Sequence, residues 1–161
     1  MDTYVIEVSK DAVDIELYRT SSLPAGELAA GIKNGVVLVG RLGGRSIAVC
    51  IIEKRGEIFE ILHWAALPEF HKMGYGRELM LYALDYINVM GGRFVEMGAP
   101  NTDIQMFVLL QRLGFRVAGV RPDYYIESGK LPEKALDQLE MRDMLRYRMD
   151  LRELTENKEE I

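Results

Sequence analysis

Hydrophobic and polar residues alternate along several short runs in the first part of the chain, with the two-residue period of β-strands. Gly43 and Gly44 join two of these runs and are typical of a hairpin turn, because glycine adopts positive φ without strain. Pro24 fits the first turn of a helix that ends at Asn34-Gly35, and residues 15–18 either extend the first strand or begin a loop. The predicted strands are residues 4–8, 36–41, 46–54 and 57–67, the last three forming an antiparallel meander.

From Gly76 the spacing of apolar residues changes from that of a strand to that of a helix. Apolar residues then recur every three to four positions as far as Gly91-Gly92, which ends the helix. The order of strand, helix and strand predicts a central parallel βαβ crossover within a mostly antiparallel sheet. The remaining predicted elements are a strand at 93–97, a loop at 98–101, a helix at 103–113 capped by Thr102 or Asp103, a strand at 115–120, an aromatic loop or edge segment at 123–125, a partly helical polar segment at 131–142 and a strand at 144–151.

Composition supports a single soluble domain. Of the 161 residues, 48% are hydrophobic and 28% are charged, which is ordinary for a globular protein. We expect residues 1–152 to form one α/β (α+β) domain and residues 153–161 to form a charged tail. No apolar run has membrane-spanning length and the N-terminus is acidic, so we expect a cytoplasmic protein with no membrane partner.

Charge and the rare residue types exclude several kinds of site. The formal net charge of −5 argues against a nucleic-acid partner, because such proteins need a basic surface to displace counterions, and it weakly favours a cationic substrate. Cys50 is the single cysteine and lies in an apolar run, which favours a small buried hydrophobe over a nucleophile. Since His63 and His71 are the only histidines, no metal site is expected.

Residues 71–76, His-Lys-Met-Gly-Tyr-Gly, follow a predicted strand and open a predicted helix. The N-terminus of a helix offers unsatisfied amides and a positive dipole end, which attract phosphate groups. The same glycines are also compatible with a tight turn that binds nothing. Two nucleotide-binding motifs do not fit: Arg77-Glu78 stands where a P-loop needs Lys followed by Ser or Thr, and the third glycine of a dinucleotide fingerprint is absent.

The combination of motifs resembles the GNAT superfamily of acetyl-CoA-dependent N-acetyltransferases, and is closest in pattern to protein N-terminal alanine acetyltransferases. Members carry Gln/Arg-x-x-Gly-x-Gly/Ala after a strand, a proline shortly before it, and Leu-Gly-Phe at the end of a second helix. This chain has Pro68, then His71 to Gly76, then Leu113-Gly114-Phe115, within residues 36–125. The resemblance implies a GNAT-like sheet that is splayed at the cofactor site, and acetyl transfer to a primary amine by direct attack in a ternary complex.

Acetyl-CoA is the co-substrate that the resemblance implies, without a metal. Backbone amides of the glycine loop would hold its pyrophosphate, and the end of the preceding strand would bind the pantetheine arm through backbone hydrogen bonds. His71 departs from the usual Gln or Arg, and Asn101 is either a CoA contact or a turn residue. The expected cofactor-binding residues are Ala65, Ala66, Leu67, His71, Lys72, Met73, Gly74, Tyr75, Gly76, Arg77 and Asn101.

The acceptor amine must lose a proton, and a carboxylate near the splayed part of the sheet could accept it, directly or through a water molecule. Glu96 stands where the N-terminal acetyltransferases carry a catalytic glutamate, and Glu60 lies on the strand before the loop. Each could instead face solvent. His63 is either a base or a half-buried structural residue, and its side chain should lie opposite that of Glu60 if the strand is regular. Arg146 and Arg148 alternate along the last predicted strand in the pattern of a solvent face.

The expected proton donor to the leaving thiolate is missing. The family usually carries a tyrosine four residues before the glycine of Leu-Gly-Phe, whereas this chain has Leu110. Tyr124 or Tyr125 could replace it or hold the acceptor, with one of the pair facing the cleft; alternatively, both cover the core. Leu110 also favours the competing hypothesis of a catalytically weak acyl-CoA-binding or regulatory module. The acceptor is a small-molecule or peptide amine, and a homodimer is compatible with the sequence.

Overall fold

Seven strands form one mixed sheet with the order β1-β2-β3-β4-β5-β7-β6 in the computed structural model, which describes residues 2–11, 13–127 and 139–153. The strands are β1 (Tyr4–Val8), β2 (Val36–Leu42), β3 (Arg45–Arg55), β4 (Ile58–Ala66), β5 (Phe94–Pro100), β6 (Arg116–Arg121) and β7 (Met144–Asp150), and the helices are α1 (Ala25–Asn34), α2 (Tyr75–Val89), α3 (Ile104–Leu113) and the short α4 (Tyr124–Glu127). Short 3-10 helices occupy Ile15–Tyr18 and Pro68–Phe70.

The pairing of β4 with β5 is parallel, and the other neighbouring strands in the described part of the chain pair antiparallel. Helix α2 makes the connection between the two parallel strands, which must start at the same end of the sheet. The predicted α/β (α+β) class with its central parallel crossover is confirmed.

Helices cover both faces of the sheet. Residues 46–52 of the central strand β3 are all buried, as expected for a strand covered on each side. On one face α2 and α3 enclose the larger core, and on the other α1 and the Ile15–Tyr18 segment enclose a second core around Leu17. We refer to these as the α2 face and the α1 face.

A β-bulge interrupts β4 at Leu62. Ile51 of β3 pairs with His63, whereas the next residue, Ile52, pairs with Ile61, so Leu62 is the extra residue. A bulge shifts the alternation of side chains by one position and bends the strand. As a result, His63 lies on the same α1 face as Glu60, and the regular alternation expected from the sequence does not hold.

Three predicted elements differ from the structure. Residues 15–18 form a 3-10 turn, because the Asp14 side chain accepts a hydrogen bond from the Glu16 amide. The expected loop after Met97 is the continuation of β5 through Pro100, since β7 pairs with it along its whole length. The expected aromatic loop at residues 123–125 includes the start of helix α4.

The remaining elements agree with the prediction to within two or three residues. Asp103, and not Thr102, caps α3 by accepting a hydrogen bond from the Met106 amide. Most of the polar segment predicted at residues 131–142, and the tail from residue 154 onwards, lie outside the described residues. No helix in the described part of the chain is both long enough and apolar enough to span a membrane.

Gly92 is a position where the core tolerates no side chain. A Cβ atom there would lie 2.5 Å from a methyl carbon of Ile87 and 2.6 Å from the Phe59 ring. We therefore expect Gly92→Ala to reduce the free energy of unfolding by about 1–3 kcal/mol, the usual cost of overpacking. Urea denaturation followed by circular dichroism measures this change.

Gly26→Ala in α1 is the matched control, because no atom lies within 4 Å of the added Cβ. Alanine in a helix should raise the free energy of unfolding by roughly 0.5–1 kcal/mol. Equal effects of the two substitutions would contradict the packing described here.

Candidate active site

Strands β4 and β5 separate at one end of the sheet. Their parallel register runs from Ile58 with Phe94 to Ile61 with Met97, although β4 continues to Ala66 and β5 to Pro100. Beyond the last pair, β4 remains bound to β3 and β5 remains bound to β7. A wedge-shaped opening, called the split below, therefore lies between the two strands, and the predicted splaying of the sheet is confirmed.

The backbone of β4 faces the split at alternate residues. The Leu67 amide donates to the Ile47 carbonyl at 2.8 Å, so Leu67 and, two residues earlier, Ala65 belong to the hydrogen-bonded pairs with β3. The N–H and C=O groups of Ala66 and Trp64 consequently point to the split. Of the three residues expected to bind pantetheine, only Ala66 has this orientation. Trp64 shares it, which the sequence alone does not reveal because the orientation depends on the register with β3.

The glycine loop follows a short 3-10 turn and leads directly into α2. Lys72 and Gly74 adopt positive φ, 69° and 87°, and Gly74 is the N-cap of the helix with no side-chain capping bond. The first helical hydrogen bond runs from the Glu78 amide to the Gly74 carbonyl. The amides of Tyr75, Gly76 and Arg77 precede that bond and are therefore available to a ligand.

Other groups in the loop already have partners. The Met73 amide donates to the Phe70 carbonyl at 3.3 Å, and the Tyr75 carbonyl accepts from the Tyr4 hydroxyl at 3.0 Å. His71 and Lys72 are exposed. Among the predicted loop residues, the helix-start amides are thus better placed for an anion than the Met73 amide.

Two side chains fasten the loop to the end of β4. The His71 ring donates from Nε2 to the Ala66 carbonyl at 2.9 Å, and the Trp64 indole donates to the Gly76 carbonyl at 2.9 Å. A Cβ at Gly76 would lie 3.6 Å from that of Ala66, an ordinary contact. These contacts hold the N-terminus of α2 at the open end of the split.

Asn101 lies just after β5 and organises the segment before β7. Its side-chain oxygen accepts from the Arg142 and Asp143 amides, and its side-chain nitrogen donates to the Glu140 carbonyl. This arrangement corresponds to the turn role considered for Asn101, in which the amide group fixes the backbone of residues 140–143.

Glu60 and Glu96 face each other at the narrow end of the split. They are paired residues in the parallel register, one position before the last pair, and both lie on the α1 face. Arg146 links them: its guanidinium lies 2.9 Å from Glu60 and 3.6 Å from Glu96. Arg55 adds a contact of 3.0 Å to Glu60, and Arg148 one of 3.6 Å to Glu96.

These contacts form a chain of alternating charges across β3, β4, β5 and β7, which we call the charge chain. The expectation that Arg146 and Arg148 form a solvent face is wrong for Arg146, whose side chain is only 20% exposed. The alternating pattern along β7 did not reveal this role, because it depends on which strand lies beside β7.

A cleft of about 750 Å³ opens on the α1 face beside the charge chain. Its walls come from α1, the starts of β2 and β7, β3, β4, and the β6–α4 connection. The Tyr124 ring lines it, and the Tyr124 hydroxyl lies 3.3 Å from the Glu27 carboxylate. Burial and the Glu27 charge raise the pKa of Tyr124, so its hydroxyl stays protonated at neutral pH.

Tyr125 is buried, and its ring packs edge-on against that of Tyr124 at 5.0 Å. Its hydroxyl lies 3.4 Å from that of Ser22, and burial raises the pKa of Tyr125 to about 12. Tyr124 therefore lines the cleft, while Tyr125 belongs to the packed interior.

His63 and Leu110 belong to the packed interior. The His63 ring donates to the Leu17 carbonyl at 2.6 Å and lies beside the Tyr18 ring, which matches the structural role considered for it. Leu110 is fully buried on the α2 face. Among the described residues there is no cluster of three or more His, Cys, Asp and Glu side chains that could hold a metal ion.

Comparison with curated sequences gives a bacterial relative. The N-acetyltransferase YvbK of Bacillus subtilis strain 168, itself described as uncharacterized, is 28% identical over 102 residues, which are 63% of this chain and 64% of YvbK. The chain thus spans less than two thirds of the length of that relative.

Solved structures share the fold over almost the whole chain. An IAA acetyltransferase from Bacillus cereus ATCC 14579 has a TM-score of 0.83 at 25% identity and covers 92% of this chain and 99% of its own. A GNAT family acetyltransferase from Elizabethkingia anophelis with acetyl-CoA bound has a TM-score of 0.83 at 17% identity, covering 92% and 97%. The family model for acetyltransferases (GNAT) matches residues 4–115, which is more than half of the chain. The protein therefore belongs to the acetyltransferase (GNAT) family.

Proposed function

We propose that the protein transfers the acetyl group of acetyl-CoA to a primary amine by direct attack in a ternary complex. The observation that carries this proposal is the split, with free helix-start amides at its open end and two carboxylates at its narrow end. A structural neighbour from E. anophelis has acetyl-CoA bound, which supports the choice of cofactor.

The open end of the split suits the cofactor. The amides of Tyr75, Gly76 and Arg77 would receive the pyrophosphate at the positive end of α2. The pantetheine arm would then run along β4, where the backbone groups of Trp64 and Ala66 have no β5 partner. This path brings the thioester to the narrow end of the split, beside the charge chain.

The narrow end suits the proton transfer. The attacking amine must lose a proton, and a carboxylate within hydrogen-bond reach or one water away can accept it. Both oxygens of Glu60 have close arginine partners at 2.9 and 3.0 Å, whereas the arginines nearest Glu96 lie at 3.6 Å, beyond hydrogen-bond distance. We therefore assign Glu96 as the base and Glu60 as the group that positions Arg146.

The leaving thiolate needs a proton, and Leu110 cannot supply one. Tyr124 lines the cleft, and its hydroxyl is protonated at neutral pH. We assign this hydroxyl either as the proton donor to the thiolate or as a contact to the acceptor amine. The burial of Leu110 is also the observation that favours the competing hypothesis, an acyl-CoA-binding module with little turnover. Amine-dependent release of free CoA thiol distinguishes the two.

Binding of CoA tests the first half of the proposal. Saturation at a hundred times the dissociation constant should stabilise the protein by about 2.7 kcal/mol, which a thermal shift detects. Gly74→Ala should weaken CoA binding by roughly tenfold, because alanine in the left-handed region costs about 1–2 kcal/mol and the loop must move to relieve the strain. Isothermal titration calorimetry measures both dissociation constants.

Gly119→Ala is the matched control. Gly119 lies in β6, outside the glycine loop, it has no positive φ, and no atom lies within 4 Å of its added Cβ, so the dissociation constant of this variant for CoA should stay within about threefold of wild type. The absence of any thermal shift with CoA would contradict the proposed function.

Kinetics of two glutamate variants test the assignment of the base. Glu96→Gln should lower kcat by roughly 10²- to 10⁴-fold, the usual contribution of general base catalysis, with little change in the KM for acetyl-CoA. Glu60→Gln should lower kcat less, since glutamine still accepts hydrogen bonds from Arg146 and Arg55. Free-thiol release with a panel of amines provides the measurement, and a larger loss in Glu60→Gln would exchange the two roles.

Cys50 tests whether an acetyl-enzyme is involved. The thiol is fully buried in β3, and burial raises its pKa to about 12. We expect a thiol reagent such as Ellman's reagent to modify Cys50 only after denaturation, and Cys50→Ala to keep its kcat within about twofold. Stoichiometric labelling of the native protein, or loss of turnover in the variant, would argue against direct attack.

A further inference from the structure

The walls of the cleft on the α1 face are not acidic, although the chain carries a formal net charge of −5. The charged residues that line it are three carboxylates and four cations: Glu27, Glu53, Glu60, Lys54, Arg55, Arg121 and Arg146. A site for a purely cationic amine would be expected to carry the opposite balance. The charge of the whole chain is therefore a poor guide to the acceptor.

Three of these cations do not offer a free charge to the cleft. Arg55 lies 2.7 Å from Glu53 and 3.0 Å from Glu60, and Arg146 belongs to the charge chain. The Lys54 ammonium lies 6.0 Å from the centre of the Phe59 ring, which is part of the core on the α2 face. Its charge is thus directed away from the cleft.

Arg121 is different. None of the ion pairs between described residues involves its guanidinium, which lies 4.6 Å from the centre of the Tyr124 ring. A cation held over an aromatic face keeps its orientation and its hydrogen-bond donors. We refer to the Arg121 guanidinium and the Tyr124 ring as the platform. The Tyr124 hydroxyl contacts Glu27, so helix α1 supports the platform from the other side.

The platform and the charge chain border the same space. Arg121, Tyr124, Glu60 and Arg146 all line the cleft, and so does Glu27, which contacts the Tyr124 hydroxyl. An acceptor in the cleft would therefore meet the Arg121 guanidinium, which has no ion-pair partner among the described residues, and Glu60, the carboxylate of the charge chain that lines the cleft.

We propose that the acceptor is an amine that also carries a carboxylate, such as an amino acid, with Arg121 binding the carboxylate while the amine faces Glu60 and Glu96. This inference rests on the proposed function, because it assumes that the cleft receives the acceptor. A guanidinium matches a carboxylate with two parallel hydrogen bonds, which gives orientation as well as affinity. The amine is then directed to the narrow end of the split.

Matched acceptors provide the test. Each amino acid of a panel is compared with the amine that remains when its carboxylate is removed, on wild type and on Arg121→Gln. We expect Arg121→Gln to lower kcat/KM for the amino acids by roughly 10- to 100-fold, the range of a charge-assisted hydrogen bond, mainly through KM. For the decarboxylated amines the two proteins should agree within about twofold. Dividing kcat/KM of the variant by kcat/KM of wild type for each acceptor removes the effect of differences in amine basicity.

Two further variants sharpen the result. Arg121→Lys should restore part of the loss, because it keeps the charge without the two-pronged geometry. Arg116→Gln, on the same strand but outside the cleft lining, should leave kcat/KM unchanged for every acceptor. If Arg121→Gln lowers kcat/KM equally for both members of each pair, or if the decarboxylated amines are the better wild-type substrates, the carboxylate assignment is wrong.

Failure of this inference is distinct from failure of the proposed function. If wild type binds CoA but releases no thiol with any amine, the acetyl transfer itself is contradicted. If wild type releases thiol with amines, but Arg121→Gln changes kcat/KM equally for acceptors with and without a carboxylate, acetyl transfer stands and the proposed acceptor class is wrong.

Discussion

The loss of hydrogen bonding between β4 and β5 after Ile61 and Met97 is the constraint on which the rest of the site depends. A sheet interior normally leaves no backbone group unpaired, so an opening there must be held by what surrounds it. Here β3 and β7 keep each strand in place, and the indole of Trp64 and the ring of His71 tie the start of α2 to the same strand end. Backbone groups in the split thus remain available to a ligand that can complete the sheet.

The charges at the narrow end follow from the same register. Because Glu60 and Glu96 are paired residues on adjacent parallel strands, two carboxylates face one another at close range, which is unfavourable unless cations separate them. Arg146 reaches both, and Arg55 and Arg148 extend the chain outwards. Arg146 therefore links two carboxylates at the narrow end of the split, where the proposed reaction places the attacking amine.

Features that depend on neighbouring residues in the chain could be predicted from the sequence. The glycine loop, its helix and the two strands of the crossover are contiguous, and their signals lie within residues 58–100. The function of Arg146 could not be read in this way, since it depends on β7 lying beside β5 across a sequence separation of some fifty residues. His63 shows a second limit: one bulge at Leu62 moved it to the face of Glu60, and periodicity assumes that no such residue is inserted.

The cofactor half and the acceptor half of the proposed site differ in the same way: the first depends on neighbouring residues, the second on residues far apart in the chain. The amides proposed for the cofactor come from three consecutive residues, and His71, which departs from the usual Gln or Arg, holds the loop through its hydrogen bond to the Ala66 carbonyl. The cleft, in contrast, draws its walls from α1, β3, β4, β6, α4 and β7, and only side chains set its chemistry. A change in one wall residue can therefore alter the acceptor while the backbone cradle stays intact. For this reason Arg121, which lies beside Tyr124 and has no ion-pair partner in residues 2–11, 13–127 and 139–153, is a stronger indication of the acceptor than any motif in the chain.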